Sequence, residues 1–346
     1  MINPVVSVII PVYNKHKYIK ETINSVLLQN FTNFEIIIVD DGSTDGSLEV
    51  IRECVDARLQ IFSQSNSGVE RARNFGFSKS VGSYIVFLDA DDIMRKDRLI
   101  KQIDLFESKE ELKLLGTWAG VVDNMGKVIG SICPPISNEA LQLAHLFRNQ
   151  FVSSSVMIRR NAIDHEMAFN ETRGQHFAED YDLWHRISRN GLVANIPEKL
   201  TTYRRLNESR SQSKDGSLLE SARNISAEWL YRNTNRFESM ESARTFVLSI
   251  NGLDDFTPNI GCNMRETLRT YDALLNDLLP ENTFRRSDGL RKVMIQHKIH
   301  ITIWSLLGFI PVSLQRKIFS FLNLFKSSLF TQFLFSIIER NNSKRD

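Results

Sequence analysis

Cysteine is scarce in this sequence, and so are the signals that direct a chain out of the cell. The 346 residues include three cysteines, Cys54, Cys133 and Cys262, which lie far apart. No two of them have the spacing of a metal or redox pair, and their odd number argues against a disulfide framework. The first residues, MINPVVSVII, lack the basic start and the small-residue cleavage site of a signal peptide. We therefore expect a reducing compartment and no secretion.

The whole chain also lacks a strong excess of one charge sign, and its N-terminus lacks a long hydrophobic run. The formal net charge of +2 gives the chain no bias towards nucleic acid. Apolar residues make up 42% and charged residues 24%, as in an ordinary globular protein. The apolar run at 5–10 is too short to span a bilayer and is predicted to be a buried strand. The length suits one large domain or a catalytic domain with an appended region.

Apolar, β-branched segments alternate with helical patterns over the first hundred residues. The pattern predicts strands at 6–11, 34–39, 59–63 and 83–88, and helices at 17–29, from 44 onwards and at 68–80. Continuous apolar strands separated by amphipathic helices predict a parallel sheet that is covered on both faces. Ligands of such sheets bind beyond the C-terminal ends of the strands. The aspartates at 40–41 and 89–92 follow two of these ends.

The second part of the chain has a more mixed pattern. Strands are predicted at 112–122, 127–132, 152–158 and 193–197, and helices at 137–150 and 179–190. Residues 217–279 are predicted to be helical, with breaks near Gly252 and Pro258. Residues 291–346 carry nine Lys/Arg against two acids. At helical spacing, the segment 318–338 has one face of Phe, Leu and Ile and an opposite polar face. Lys326 interrupts its apolar residues, so an amphipathic helix in the plane of a membrane fits better than a helix that spans it. A helical cap or a dimer interface is the alternative.

Two acidic segments stand at predicted strand ends. Asp89 and Asp91 are one residue apart on a turn, where carboxylates converge on a hard divalent cation whose remaining ligands are waters and a diphosphate. The alternative is a capped helix start, because aspartate is favoured there. The segment 40–45 (DDGSTD) offers an acceptor for a base N–H or for ribose hydroxyls, or else serves only turn and cap chemistry.

Two further segments stand at predicted helix starts. The small residues at 65–68 lead into a helix that carries Arg71 and Arg73, and both helix N-termini and arginines favour anions. A solvated basic face is the simpler interpretation of these arginines. The segment 179–186 (EDYDLWHR) crowds acids at a helix start, where one of them either acts as a general base or caps the helix.

Five motifs occur together: 7–14 (SVIIPVYN), 39–45 (VDDGSTD), 72–76 (ARNFG), 89–92 (DADD) and 179–184 (EDYDLW). In order and spacing they resemble family 2 inverting glycosyltransferases of the GT-A fold, and the resemblance covers about residues 4–210. It implies an α/β fold: a GT-A type nucleotide-binding sheet, mostly parallel with helices on both faces, in a catalytic domain at 1–210 that divides into a nucleotide-sugar half (1–100) and an acceptor half (101–210). Beyond the resemblance, the sequence pattern predicts an α-helical C-terminal extension, with a helical region at 211–290 and a basic, membrane-associating region at 291–346.

The resemblance also implies roles for single residues. Asp91 would bind Mg²⁺ or Mn²⁺, which would bridge the donor diphosphate, and Asp180 would take the proton from the attacking acceptor hydroxyl, so that one displacement inverts the anomeric carbon. The chain departs from the family's frequent Tyr-Arg-x-His pattern, and Arg204 or Arg205 would contact the diphosphate instead of the missing histidine. The implied nucleotide site comprises Pro11, Tyr13 and Asp41 around the base, Arg71 or Arg73 lining the same pocket, and Asp89 near the ribose.

The expected partners are a nucleotide-sugar donor and a glycan or lipid-linked acceptor. UDP is the expected nucleotide because the pocket resembles those of UDP-binding relatives, and the acceptor site is expected within 116–177. A peripheral position on the cytoplasmic face of the cell membrane would suit synthesis of a cell-surface polysaccharide or lipopolysaccharide. A sugar-phosphate nucleotidyltransferase is disfavoured because no glycine follows the first strand. A non-catalytic nucleotide-binding scaffold is disfavoured because both Asp91 and Asp180 are present.

Overall fold

Four parallel strands form the first half of a nine-stranded sheet in the computed structural model, which describes residues 3–163, 169, 178–206, 217–251, 264–278 and 288–307. The strands are β1 (Val6–Val12), β2 (Phe34–Asp40), β3 (Leu59–Ser63) and β4 (Tyr84–Phe87), in the order β3-β2-β1-β4. Every residue of β1, β2 and β4 is buried, as a parallel sheet covered on both faces requires. The parallel arrangement predicted for the first hundred residues is confirmed.

Helices cover both faces of these strands. On one face α1 (Ile19–Leu27) and α2 (Ser47–Arg52) pack against the even-numbered apolar residues of β1. On the other face α3 (Val69–Lys79) packs against Ile9. A Cβ added to Gly76 would lie 2.5 Å from Ile9 Cγ2, so glycine permits the close approach of α3 to the sheet.

The second half of the sheet is mixed rather than mostly parallel. The elements in chain order are β5 (Ile93–Met94), α4 (Arg98–Ser108), β6 (Leu112–Val122), β7 (Val128–Ile132), α5 (Asn138–His145), β8 (Met157–Arg159), α6 (Glu179–Arg189) and β9 (Leu192–Arg204). The strand β8 is antiparallel to both β4 and β6, whereas β6 and β9 are parallel. The sheet therefore continues from β4 through β8, β6 and β9 to β5.

The predicted strand at 152–158 is wrong at its start. Residues Ser153–Ser155 form a 3-10 turn, and only Met157–Arg159 is a strand. The backbone N–H and the hydroxyl of Ser155 both donate to the carbonyl of Val152, each at 2.7 Å. Local bonds of this kind let a serine compete with strand pairing.

The structure divides into two compact units, Met1–Ala222 and Arg223–Asp346. The helices α7 (Ser217–Asn233), α8 (Met240–Asn251) and α9 (Met264–Leu278) lie within the segment predicted to be helical, 217–279, and a further helix, α10 (Asp288–Leu307), follows it. The predicted breaks near Gly252 and Pro258 and the amphipathic helix at 318–338 lie outside the described residues. Among the described helices, none has the length and hydropathy to cross a membrane.

Candidate active site

An acidic turn follows β4 and brings three aspartates to the C-terminal edge of the parallel strands. Asp89 keeps 32% of its side chain exposed, whereas Asp92 is fully buried. The turn is fixed from the opposite half of the sheet, because the backbone N–H of Asp89 donates to Ser154 Oγ at 3.0 Å. The 3-10 turn at Ser153–Ser155, which the sequence pattern missed, thus positions the predicted ribose contact.

Asp91, the predicted metal ligand, forms an ion pair with Lys15. The Lys15 Nζ lies 2.7 Å from Asp91 Oδ2, and the Asp91 side chain is 11% exposed. Burial raises the pKa of Asp91 and Asp89 adds to the rise, while the Lys15 charge opposes it. Lys15 was not among the predicted site residues, although it lies three residues after the end of β1, in the region where ligands of a parallel sheet bind.

Asp92 ties the end of β9 to the acidic turn. Its Oδ1 accepts from the backbone N–H of Arg204 at 2.7 Å. The Arg204 guanidinium donates to the carbonyl of Asp91 at 3.0 Å and to Glu21 Oε2 at 2.8 Å, and it lies over the ring of Tyr18. Arg204 therefore supports the turn, and its contact with a diphosphate stays a prediction, as does that of Arg205, whose backbone N–H bonds to the carbonyl of Val122.

Arg73 joins the acidic turn to α6. Its two terminal nitrogens lie 2.8 Å from Asp89 Oδ1 and 2.8 Å from Glu179 Oε1, and its side chain is only 4% exposed. Burial alone would lower the pKa of Arg73, but the carboxylates of Asp89, Glu179 and Asp180 raise it above its usual value. Arg71, two residues earlier, is exposed. That Arg71 or Arg73 lines the base pocket stays a prediction.

Asp180, the predicted general base, lies in the first turn of α6 beside this cation. Its Oδ2 accepts from Asn149 Nδ2 at 3.2 Å, and its Oδ1 accepts from the backbone N–H of Tyr181 at 2.7 Å. Burial raises the pKa of Asp180, whereas the Arg73 charge and both hydrogen bonds lower it. A carboxylate whose pKa is raised is a stronger base once it is ionised, which suits proton abstraction.

A buried aromatic cluster fixes α6 and therefore the orientation of Asp180. The hydroxyl of Tyr181 donates to the carbonyl of His145 at 2.8 Å, and the rings of His145 and His185 stack at 5.9 Å. Burial lowers the pKa of His145 well below its usual range and that of His185 to about 3, and the nearby Arg189 adds to both shifts. Both imidazoles are therefore neutral near pH 7 and act here as packing groups.

The predicted base pocket lies at the ends of β1 and β2. Pro11 is buried within β1, and Tyr13 projects beyond it with 48% exposure. The Asp41 carboxylate accepts from the backbone N–H groups of Ser67 and Gly68, both at 2.9 Å, and from Gln64 Nε2 at 2.8 Å. A carboxylate has about four acceptor sites, so Asp41 shapes the loop before α3 and keeps acceptor capacity for a ligand.

The described residues offer few ligands for a metal ion, but these ligands are of a suitable chemical type. Asp91 and Asp89 offer carboxylate oxygens, which Mg²⁺ and Mn²⁺ prefer. Within the described ranges, no three His, Cys, Asp or Glu side chains converge in a way that would hold an ion by themselves. These residues fit an open site that the diphosphate of a donor completes, and they do not fit a closed structural site.

Comparison with known proteins identifies the family of this chain. The profile of the family described as Glycosyl transferase family 2 matches residues 7–166. An uncharacterized glycosyltransferase of Haemophilus influenzae is 32% identical over 237 residues, which cover 65% of this chain and 73% of that protein. A second relative is TuaG of Bacillus subtilis, provisionally named a teichuronic acid biosynthesis glycosyltransferase. It is 31% identical over 251 residues, which cover 70% of this chain and 94% of TuaG. The chain belongs to glycosyltransferase family 2.

Other relatives of this family 2 member are much longer. The matches to glycosyltransferases of Rickettsia bellii and Rickettsia felis span 28% and 21% of those proteins. Among solved structures, S. aureus TarS 1–349 in complex with UDP-GlcNAc superposes with a TM-score of 0.57 at 19% identity, covering 87% of this chain and 90% of that one. This likeness confirms the GT-A type fold expected from the motifs.

Proposed function

We propose that this family 2 glycosyltransferase is a divalent-metal-dependent, inverting enzyme that transfers a sugar from a UDP-sugar to an acceptor hydroxyl. The observation that carries the proposal is the bridge made by Arg73. One buried guanidinium contacts Asp89 on the donor side and Glu179 on the helix that bears Asp180. Because this one cation pairs with Asp89 and Glu179 and lies near the charge of Asp180, the predicted donor contacts and the predicted base belong to one site.

The positions of these groups support an inverting displacement. Asp180 accepts the proton of the acceptor hydroxyl, and the oxygen so activated attacks the anomeric carbon of the donor sugar. The bond from that carbon to the diphosphate oxygen breaks on the opposite face, so the configuration inverts in one step. Asp91 would hold Mg²⁺ or Mn²⁺, and the bound cation would offset the charge of the departing nucleoside diphosphate.

The ligands of a structurally similar protein support a uridine nucleotide, and Asp41 supports a base that carries a ring N–H. The structure of TarS that resembles this chain contains UDP-GlcNAc, and a second TarS structure with a TM-score of 0.55 contains UDP. The Asp41 carboxylate, which lies at the end of β2 among backbone donors, retains an acceptor site for the N–H of a base. We therefore place the base near Pro11, Tyr13 and Asp41, and the ribose near Asp89.

Calorimetric titration with UDP, GDP and dTDP, each with and without Mn²⁺, tests the donor site. We expect UDP to bind in a metal-dependent manner, and Asp91→Ala to lose the metal dependence. The anomeric configuration of the product, read by NMR from a transfer or slow hydrolysis reaction, tests inversion. Retention of configuration, or no nucleotide binding by a folded sample, would refute the proposal.

We also propose that the acceptor is a glycan or a lipid-linked glycan of the cell surface, and that the enzyme works on the cytoplasmic face of the membrane. The excess of Lys/Arg at 291–346 supports this location, because basic segments are attracted to anionic lipid. Flotation with vesicles that contain anionic lipid, compared between the full chain and a chain ending at residue 307, which keeps α10, tests it. A homodimer through the same segment would leave both samples unbound and would change only the mass measured in solution.

A further inference from the structure

The ammonium group of Lys15 pairs with Asp91, the carboxylate that the proposed function assigns to a metal ion. Its Nζ lies 2.7 Å from Asp91 Oδ2, with the lysine side chain 27% exposed. A divalent cation that binds Asp91 therefore meets a ligand that already has a cation. Two cations on one carboxylate repel each other, and at short distance in a partly buried site this repulsion is only weakly screened.

The backbone of Lys15 is fixed, so its side chain is the part that can respond. The backbone N–H of Lys15 donates to Ser47 Oγ at 2.8 Å, and its carbonyl accepts from the backbone N–H groups of Tyr18 and Ile19 at 2.9 and 3.0 Å. The neighbouring Asn14 and His16 are tied to the loop before α2 through Ser43, Thr44 and Asp45. The flexible four-carbon side chain of Lys15 can therefore move its ammonium group away from Asp91 while the backbone of the loop stays in place.

We propose that Lys15 is an exchanging cation of the donor site. It pairs with Asp91 in the donor-free enzyme, releases Asp91 when a divalent cation binds there, and then contacts the diphosphate of the donor. The inference rests on the proposed function, because it needs both a metal at Asp91 and a diphosphate beside it. Exchange keeps the acidic turn neutralised in both states, and the diphosphate offers the released ammonium group a new anionic partner.

The exchange has a thermodynamic consequence. Lys15 opposes metal binding in the free enzyme and favours nucleotide binding in the metal-loaded enzyme, so it makes the two ligands cooperative. A hydrogen bond to a charged group changes a binding constant by at least about tenfold. Removing the charge at position 15 is therefore expected to change each affinity about tenfold, in opposite directions.

Calorimetry on the full chain tests this with Mn²⁺ and UDP as probes. We expect Lys15→Met to bind Mn²⁺ alone about tenfold more tightly than the wild type, and to bind UDP in saturating Mn²⁺ about tenfold more weakly. Lys15→Arg retains the charge and should stay close to the wild type in both. Lys17→Met is the matched control, because it removes the same charge from an exposed position in the same loop. Circular dichroism verifies folding, and Lys15→Gln repeats the test with a second neutral side chain.

The outcomes separate the inference from the proposed function. A damaged fold weakens metal binding, so tighter Mn²⁺ binding by Lys15→Met identifies the competing ammonium group. If Lys15→Met behaves like Lys17→Met while the wild type binds UDP and Mn²⁺, the exchange is wrong and the proposed function stands. If the folded wild type binds neither probe, both are overturned.

Discussion

Replacing Arg73 with glutamine tests whether one buried cation holds the donor side and the base helix together. Arg73 is 4% exposed and contacts Asp89 and Glu179, each at 2.8 Å. Removing one partner of a buried ion pair costs about 3–5 kcal/mol, because the other charge is left without compensation. Asp89 is 32% exposed and stays partly hydrated, so we expect a loss at the lower end, about 3 kcal/mol of unfolding free energy.

Urea denaturation followed by circular dichroism measures this loss. The matched control is Arg71→Gln, which makes the same substitution on the same helix at an exposed position, where a lost contact costs less than that of a buried ion pair. Arg73→Lys keeps the charge but offers a single ammonium group, so it should recover only part of the stability. A loss for Arg73→Gln no larger than that of Arg71→Gln would refute the idea of a bridging cation.

The same variant changes the acid–base chemistry in a predictable direction. Burial already raises the pKa of Asp180, and Arg73 is the nearby charge that holds it down. Without Arg73 the pKa of Asp180 rises further, so the base is protonated over a wider range of acidic pH. The acidic limb of the kcat/KM profile should therefore move to higher pH in Arg73→Gln. An unchanged limb would show that Arg73 does not act on the base.

Two further predictions concern the base and the packing of the parallel sheet. Asp180→Asn keeps the shape of the side chain and the contact with Asn149 but removes the proton acceptor. We expect kcat to fall by about 10²- to 10⁴-fold while UDP binding stays intact, and a small loss of kcat would exclude Asp180 as the base. Gly76→Ala should lower the free energy of unfolding in urea by about 1–3 kcal/mol, because the added Cβ would lie 2.5 Å from Ile9 Cγ2. This loss is expected although alanine usually favours a helix. Increased stability would show that α3 can move away from β1.

The first half of the fold was predictable because its signals are local. Strands buried on both faces are continuous apolar runs, so β1, β2 and β3 were placed within one residue of their observed ends. Aspartates directly after such strands must lie at one edge of a parallel sheet. The acidic turn and its neighbourhood follow from this rule, and the family resemblance added roles that the pattern alone left open.

The second half was less predictable because its structure depends on distant partners. The helix α4 (Arg98–Ser108) was not predicted, and the start of the strand predicted at 152–158 is a 3-10 turn. The side chain of the buried Arg98 donates to the carbonyls of Ser154 and Val156, so this turn is held by a residue more than fifty positions away. The ion pair of Lys15 with Asp91 spans 76 positions, and no periodicity in the sequence reports such a contact.

The bridge at Arg73 explains how these two halves make one site. Arg73 and Glu179 are 106 positions apart, yet their side chains lie 2.8 Å from each other. Each belongs to a motif with a simpler local explanation: Arg73 to a solvated basic helix face, and Glu179 to the cap of a helix. A double-mutant cycle of Arg73→Gln and Glu179→Gln separates the two explanations. A shared network gives a coupling of about 0.5–3 kcal/mol, whereas independent sites add within about 0.5 kcal/mol. Additive losses would mean that the halves are merely adjacent, and that Asp180 owes its position to the aromatic cluster alone.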